Sequence, residues 1–497
     1  MPGIVDSHVH INEPGRTEWE GFRTATRAAA VGGITTIADM PLNSIPPTTT
    51  VDNLKTKADK ARDMIYVDLA FWGGIIPGNQ NELQPLVEAG VVGFKCFLCP
   101  SGVDEFPCVK EDDVNKALEK LKSTRSVLAF HAEYVKKNTV TSAKGDPTCY
   151  ETFLRTRPSE MEINAIKMIC HWCEKSNVRC HIVHLSTADA LDLIKATKGK
   201  GAPITAETCH HYLLLSAEEV PVCATEFKCC PPIRDKVNRD KLWDGLRNKV
   251  IDMVVSDHSP CTEELKTKGN FLTAWGGISS LQFGLSLLWT AARLKSVGLT
   301  EISRLLSAAP AKLCGLNDRK GTLSVGMDAD FVIWDPEKMF KVERNHILFK
   351  NKMNERAVDL AGQEGQLVKV KRRPWCIGKP DVHRYTLVNG PLIFMTSRTM
   401  MEIRFILLVT LFVVGVAMAF PQKDGQIFSN EAIKQAQNTY LIPKDATIQK
   451  VQEGIELAAY ESIPGDQKIN LFEILGEHVP PEVVNNLQTQ IDQIGRN

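Results

Sequence analysis

The chain has 497 residues, enough for one large barrel domain with additions or for about three smaller domains. Hydrophobic residues make up 43% of it, which excludes an intrinsically disordered chain. The formal net charge is zero and there is no long basic run, which argues against a nucleic-acid partner. The fourteen cysteines are irregularly spaced, and many lie in apolar runs, which favours buried thiols in a reducing compartment over a disulfide framework.

Short apolar runs rich in β-branched residues alternate with longer amphipathic stretches between residues 3 and 257. The short runs predict strands, and the longer stretches, such as 23–31, 161–175 and 188–198, predict helices. Repeated strand–helix alternation indicates a parallel sheet, and eight such units close into a (β/α)8, or TIM, barrel. The eight predicted strands are 3–8, 34–39, 67–72, 91–98, 127–131, 179–184, 204–208 and 251–257.

The first predicted strand leads into two histidines, His8 and His10. Histidines two residues apart on extended backbone point to the same side, so both imidazoles can reach one divalent metal ion. Taken alone, the pair is equally compatible with two ordinary polar histidines. Function in such a barrel lies at the carboxyl ends of the strands, so a metalloenzyme should place further ligands at the ends of other strands.

Further polar residues of the ligand type do occur at the ends of later strands: Lys95, His131, His184 and Asp257. Singly, each of them could be a solvated, packed or capping residue. Together with the first two histidines they place four imidazoles, one carboxylate and one amine on the same rim of the barrel. This convergence predicts a metal centre.

The barrel is assigned to residues 1–315, and residues 316–370 to an incomplete accessory β-sandwich. Within the second range, 321–335 has the turn glycines and the alternation of hairpin strands. We expect a further segment upstream of the barrel to be missing, and the chain to be less stable for it, because half a sandwich leaves strand edges unpaired. Residues 371–400 predict an irregular basic junction.

The composition changes at Met401, since all cysteines and tryptophans precede it. The apolar run in 401–419, which ends in small residues, predicts a signal-peptide-like helix; a buried hydrophobic helix is the alternative. Residues 420–497 predict a small α-helical tail, an unrelated secreted peptide joined to the enzyme in one gene model. We expect an intracellular enzyme portion, secretion of 401–497 if it is expressed separately, and membrane contact only if 405–420 is retained uncleaved.

The chain from about residue 2 to about residue 335 resembles the cyclic amidohydrolases of the amidohydrolase superfamily, most closely their allantoin-hydrolysing members. The resemblance implies zinc-dependent opening of a cyclic amide, with allantoate as the product from allantoin, and a homotetramer. The motifs that carry it are residues 5–16, 39–44, 93–95, 130–133, 184–186, 207–212, 230–234, 256–261 and 275–278.

The resemblance also implies a set of ligands for two Zn²⁺ ions: His8, His10, Lys95, His131, His184 and Asp257. In this family the first two histidines and the aspartate hold the more buried ion, and the other two histidines hold the second. The lysine would be carboxylated by carbon dioxide and would bridge both ions, since an ammonium group cannot ligate a cation but a desolvated amine becomes neutral and reactive. Asp257 would take a proton from the bridging hydroxide and pass it to the departing nitrogen.

Three positions distinguish substrates within the family. Dihydroorotases have an arginine where this chain has Asn12, and dihydropyrimidinases and hydantoinases have a tyrosine where it has Pro100 and a serine where it has Cys230. These departures favour allantoin, a small cyclic ureide, with a substrate pocket lined by Cys230, Gly276 and Gly277. The alternatives are a dihydropyrimidinase or hydantoinase and a non-catalytic scaffold relative. His181 and His258 are expected to support the centre or pack beside it.

Overall fold

The computed structural model describes residues 1–352, apart from 268, 338, 339, 341 and 343, and the backbone of 385–386 and 394–395. The chain divides into two compact units, Met1–Leu408 and Val409–Asn497, and the described residues all lie in the first. The predictions for the 401–419 segment and the 420–497 tail, and most of that for the 371–400 junction, lie outside the described residues. Among the helices of the described residues, none has the length and apolarity needed to cross a membrane.

Parallel strands build the barrel, and each of the eight predicted runs contains one. The strand in the third run, Asp68–Phe71, pairs with the second strand, and a separate short strand just beyond the run, Gly73–Gly74, pairs with the fourth run's strand. In chain order the strands are β1 Ile4–Val9, β2 Ile34–Asp39, β3 Asp68–Phe71, β4 Gly73–Gly74, β5 Phe94–Phe97, β6 Val127–His131, β7 Arg179–Ile182, β8 Ile204–Cys209 and β9 Met253–Val255.

The sheet closes where the last barrel strand meets the first. Val9 forms a parallel bridge with His258, and the backbone N–H of His10 donates to the carbonyl of His258 at 2.8 Å. Neighbouring strands follow one another in chain order around the ring, from β1 to β3 and from β4 to β9. This parallel order brings the carboxyl ends of all the strands to one rim.

Helices follow most of the strands and bury one face each. In the helix Glu111–Leu121, the residues Val114, Ala117, Leu118 and Leu121 recur at helical spacing and are buried, as expected for an amphipathic helix packed on a sheet. The α-helices are α1 Phe22–Gly32, α2 Val51–Ala61, α3 Leu83–Glu88, α4 Glu111–Leu121, α5 Tyr150–Leu154, α6 Ser159–Ser176, α7 Leu191–Gly199, α8 His210–Leu214, α9 Lys236–Arg247, α10 Gly284–Leu294, α11 Leu299–Ser303 and α12 Ala309–Leu313.

The segment after the barrel differs from the hairpin predicted at 321–335. In the described part of this segment, Phe331 forms a single antiparallel bridge with Pro2, flanked by a hydrogen bond from the N–H of Gly3 to Asp330. Residues 330–332 of this segment therefore pair with the start of the chain. Farther on, β10 Tyr385–Thr386 and β11 Phe394–Met395 pair antiparallel.

Buried ionic contacts attach the same segment to the barrel. The ammonium of Lys320 lies 2.5 Å from Asp68 at the start of β3, 2.7 Å from Asp330 and 3.0 Å from Asp328. The Lys320 side chain is 2% exposed. A buried cation among three carboxylates fixes the approach of this segment far more strictly than a surface ion pair would.

The cysteines of the described residues are all free thiols, and most of them are buried. This agrees with the expectation of buried thiols in place of a disulfide framework.

Candidate metal centre

The six predicted ligands converge at the carboxyl-end rim of the barrel, each of them no more than 8% exposed. His8 lies in β1, Lys95 in β5 and His131 at the end of β6. The other three lie just beyond strands: His10 directly after β1, and His184 and Asp257 two residues after the ends of β7 and β9. The backbones of His184 and Asp257 have φ values of 38° and 45°, so the chain turns sharply at these two ligands.

The first group of ligands has the spacing of a shared metal ion. Nε2 of His8 lies 3.1 Å from Oδ1 of Asp257, and Nε2 of His10 lies 3.5 Å from the same oxygen. Two ligand atoms bound to one tetrahedral zinc at 2.0–2.1 Å are about 3.3 Å apart. This group could therefore hold one divalent ion.

The second group has equivalent geometry. Nδ1 of His131 lies 3.0 Å from Nε2 of His184, and the two rings meet edge to face at 4.7 Å between centroids. The ring of His184 also lies 5.4 Å from that of His8, so the two groups are adjacent. The residues fit two neighbouring ions, one held by each group.

Two buried glutamates, neither of which has a role predicted from the sequence, orient these imidazoles. Glu207, in β8, lies 2.5 Å from Nδ1 of His8 and 3.0 Å from Nε2 of His181. Glu133 lies 2.7 Å from Nε2 of His131 and also accepts from the guanidinium of Arg157. When each glutamate accepts the outer N–H, the inner nitrogen of His8 or His131 keeps its lone pair for a metal ion.

The charges of these groups suit metal binding. Burial raises the pKa of the Glu133 carboxyl, but Arg157 and His131 lower it more, and the net pKa is about 2. Burial likewise raises the pKa of Asp257, while His8 and His10 lower it to about 2. Burial lowers the pKa of His10 to about 4. Ionised carboxylates beside neutral imidazoles are the protonation states that a metal ion requires of its ligands.

Lys95 is 1% exposed. In the order of strands, its strand β5 lies between β1, which carries part of the first group of ligands, and β6, which carries part of the second. Burial lowers the pKa of its amino group to about 8, although Asp257 and Glu207 oppose the shift. Its Nζ lies 5.3 Å from the ring centroid of Phe97, which stacks on His131 at 4.5 Å. About a tenth of this amine is therefore uncharged at pH 7, far more than for an ordinary lysine.

The two histidines that were not assigned as ligands lie beside the centre, as expected. His181 contacts Glu207 and the hydroxyl of Thr205, and His258 contacts the buried Glu20 at 3.1 Å through Nε2. A third histidine, His211, was not singled out from the sequence. One of its ring nitrogens lies within 4.8 Å of an Asp257 oxygen.

The residues predicted to line the substrate pocket lie in loops. Cys230 and Gly276 are neighbours, since a Cβ added to Gly276 would lie 3.2 Å from the sulfur of Cys230. Gly277 has a φ of 146°, and a Cβ there would lie 2.1 Å from the carbonyl oxygen of Ser259, so only glycine fits. Asn12 donates to the carbonyl of Pro260 at 3.3 Å. The contact of Cys230, Gly276 and Gly277 with substrate stays a prediction.

A parallel α/β barrel with imidazoles, carboxylates and a buried lysine gathered at its carboxyl-end rim belongs to the class of barrel hydrolases with metal-binding residues. The Amidohydrolase family model matches residues 1–365. The chain belongs to this family.

Within this family, the chain is similar to several proteins named allantoinase. "Allantoinase, mitochondrial" from Aquarana catesbeiana is 56% identical over 336 residues, which cover 67% of this chain and 69% of the relative. "Allantoinase" from Streptomyces avermitilis is 49% identical over 353 residues, covering 71% of this chain and 79% of the relative. "Allantoinase" from Saccharomyces cerevisiae is 46% identical, covering 71% and 77%.

A solved structure confirms the fold. L-hydantoinase (dihydropyrimidinase) from Arthrobacter aurescens superimposes with a TM-score of 0.67 at 30% identity, covering 71% of this chain and 79% of that one. The similarity to this hydantoinase is much lower in sequence than that to the allantoinases.

Proposed function

We propose that this protein hydrolyses the cyclic amide bond of allantoin to give allantoate, with two Zn²⁺ ions at the rim of the barrel. The convergence of the six ligand residues on one buried rim carries the proposal, since it requires residues from five separate strands to meet at the same place. The identity of 46–56% to proteins named allantoinase supports the choice of substrate.

The retained ligands argue against a non-catalytic scaffold. His8, His10 and Asp257 would hold one ion, and His131 and His184 the other, as their spacings of 3.0–3.5 Å allow. When bound, such ions polarise a substrate carbonyl and make water acidic enough to supply hydroxide near neutral pH.

In this proposal, the carboxylated side chain of Lys95 would be the ligand that both zinc ions share. Its neutral amine forms a bond to the carbon of carbon dioxide and releases one proton, which leaves an anionic carbamate with two oxygens. An anion suits this position because a lysine ammonium would repel both ions. The pKa of about 8 makes the neutral amine available without strongly alkaline conditions.

Asp257 carries the proton in this reaction. Its carboxylate lies between His8 and His10, and its pKa of about 2 keeps it ionised and able to accept a proton from the attacking water. The ring opens when the carbon–nitrogen bond breaks, and the same carboxyl returns the proton to the departing nitrogen. Positioned proton transfer of this kind contributes about 10²–10⁴-fold to rate.

Substrate discrimination depends on the loops around the rim. Asn12 has no cationic group with which to pair a substrate carboxylate, which disfavours dihydroorotate. The tyrosine and serine expected of dihydropyrimidinases and hydantoinases are replaced by Pro100 and Cys230. Allantoin, which has no carboxylate, therefore fits this chain better than dihydroorotate, and the Pro100 and Cys230 departures favour it over dihydrouracil and hydantoin.

Ring-opening assays on allantoin, dihydrouracil, hydantoin and dihydroorotate test the proposal. We expect fast turnover of allantoin alone and about two zinc ions per chain by mass spectrometry. The variant Asp257→Asn should lose at least about 10²-fold in kcat, because it cannot accept a proton. Asp240→Asn, which removes a surface carboxylate paired with Lys295, is the matched control and should retain full activity. Undiminished turnover in Asp257→Asn, or preference for another ring, would contradict the proposal.

A further inference from the structure

His211 is a buried histidine that the ligand set leaves unused. It comes two residues after the end of β8, in the first turn of α8, at the same rim as the metal-ligating residues. It is 4% exposed. Among the described residues, neither of its ring nitrogens has a hydrogen-bond partner.

The unpaired imidazole faces the catalytic carboxylate. One ring nitrogen of His211, the sulfur of Cys209 and a carboxylate oxygen of Asp257 all lie within 4.8 Å of one another. Buried polar groups in proteins are almost always paired, and an unpaired one costs about 1–3 kcal/mol. No described residue supplies a partner, which leaves this position to a group that enters the site.

We propose that His211 is a substrate-binding residue that hydrogen-bonds the cyclic ureide on the Asp257 side of the site. The inference rests on the proposed function. An imidazole offers one donor and one acceptor, and a cyclic ureide carries both N–H donors and carbonyl acceptors around its ring. Because Asp257 delivers its proton to the departing nitrogen, His211 contacts the ring at that nitrogen or at a polar group next to it.

The neighbouring histidine provides a matched control. His210 is also buried, at 3% exposure, but its ring points at the start of α10, where a Cβ on Gly284 would lie 2.4 Å from its Nε2. The two residues therefore share chemistry, burial and helix, and differ in whether they face Asp257. A general effect of removing a buried imidazole from α8 would appear at both positions.

Binding and turnover should be measured separately. Allantoin binding by calorimetry, in zinc-loaded protein carrying Asp257→Asn to block turnover, should weaken about fivefold to tenfold with His211→Leu, the worth of one neutral hydrogen bond. His211→Asn keeps a donor and an acceptor and should recover part of the affinity. With Asp257 intact, His211→Leu should raise KM more than it lowers kcat, and His210→Asn should leave both unchanged.

Zinc content distinguishes substrate contact from a role as a metal ligand. Mass spectrometry should find the same zinc content in His211→Leu as in the wild type; loss of zinc would overturn the assignment. Unchanged allantoin affinity in both His211 variants would also overturn it. The proposed function would stand in that case, provided that the wild type still hydrolyses allantoin. Failure of the wild type to act on allantoin would reject both.

Discussion

Replacing Glu207 by glutamine tests whether the carboxylate behind a ligand controls metal affinity. Glu207 contacts His8 on one oxygen and His181 on the other, and it also accepts from the backbone N–H of His184 at 3.3 Å. A glutamine has one oxygen and one NH2 group in the same space, so only one imidazole can still donate to it. If the NH2 group faces His8, that ring must turn its protonated nitrogen toward the metal position.

The size of the effect follows from the contacts that change. Loss of a partner behind a metal-bound histidine typically weakens metal binding about 10–100-fold, or about 1.4–2.8 kcal/mol. Each hydrogen bond to a charged carboxylate contributes about 1.5–3 kcal/mol to folding, so the metal-free variant should also melt at a lower temperature. We therefore expect Glu207→Gln to raise the zinc dissociation constant by one to two orders of magnitude.

A competition titration of zinc against a chromophoric chelator measures this constant. Glu20→Gln is the matched control, because Glu20 is a fully buried carboxylate paired with His258, which is not in the ligand set. Glu20→Gln should melt lower than the wild type but bind zinc with the same affinity. Wild-type zinc affinity in Glu207→Gln, or an equal loss in both variants, would refute the argument.

Two other features of the structure give further predictions. In protein prepared with ¹³C-labelled bicarbonate, NMR should show one additional carbonyl resonance from Lys95; Lys95→Met should lack it and hold less zinc, and an identical spectrum would exclude the carbamate. Lys320→Met should lower the free energy of unfolding by about 3–5 kcal/mol, because it leaves the buried Asp68 unpaired. Burial lowers the pKa of Lys320, but Asp68 and Asp330 raise it more, above its ordinary 10.5. Its stabilisation is thus complete below pH 10.5 and is lost above it. Urea unfolding should show a difference between wild type and variant that narrows above about pH 10; a difference that widens there would contradict this.

Much of the barrel could be predicted because its strands are continuous apolar runs, the pattern of a parallel sheet buried on both faces. The break between β3 and β4 could not. At this break the indole N–H of Trp72 donates to the carbonyl of Ser7 in β1. That contact joins residues far apart in the chain and leaves no local pattern.

The ligand candidates were predictable for a similar reason, because each stands in a strand or within two residues of its end. Glu207 and Glu133 were not, since their role depends on which imidazole faces them across the barrel. His211 stands beside another histidine, and only the fold shows that the two rings point to different surroundings. The pairing of 330–332 with the first residues of the chain likewise depends on an edge that is distant in sequence.

The placement of ligands and pocket residues on different kinds of backbone has an evolutionary consequence. The metal-ligating residues and Glu207 stand in or next to barrel strands, whereas Asn12, Cys230 and Gly276 stand in loops. Loops tolerate substitution and insertion that strands do not. A change of substrate through substitutions at the predicted pocket positions would therefore leave the predicted ligand residues and their strands in place.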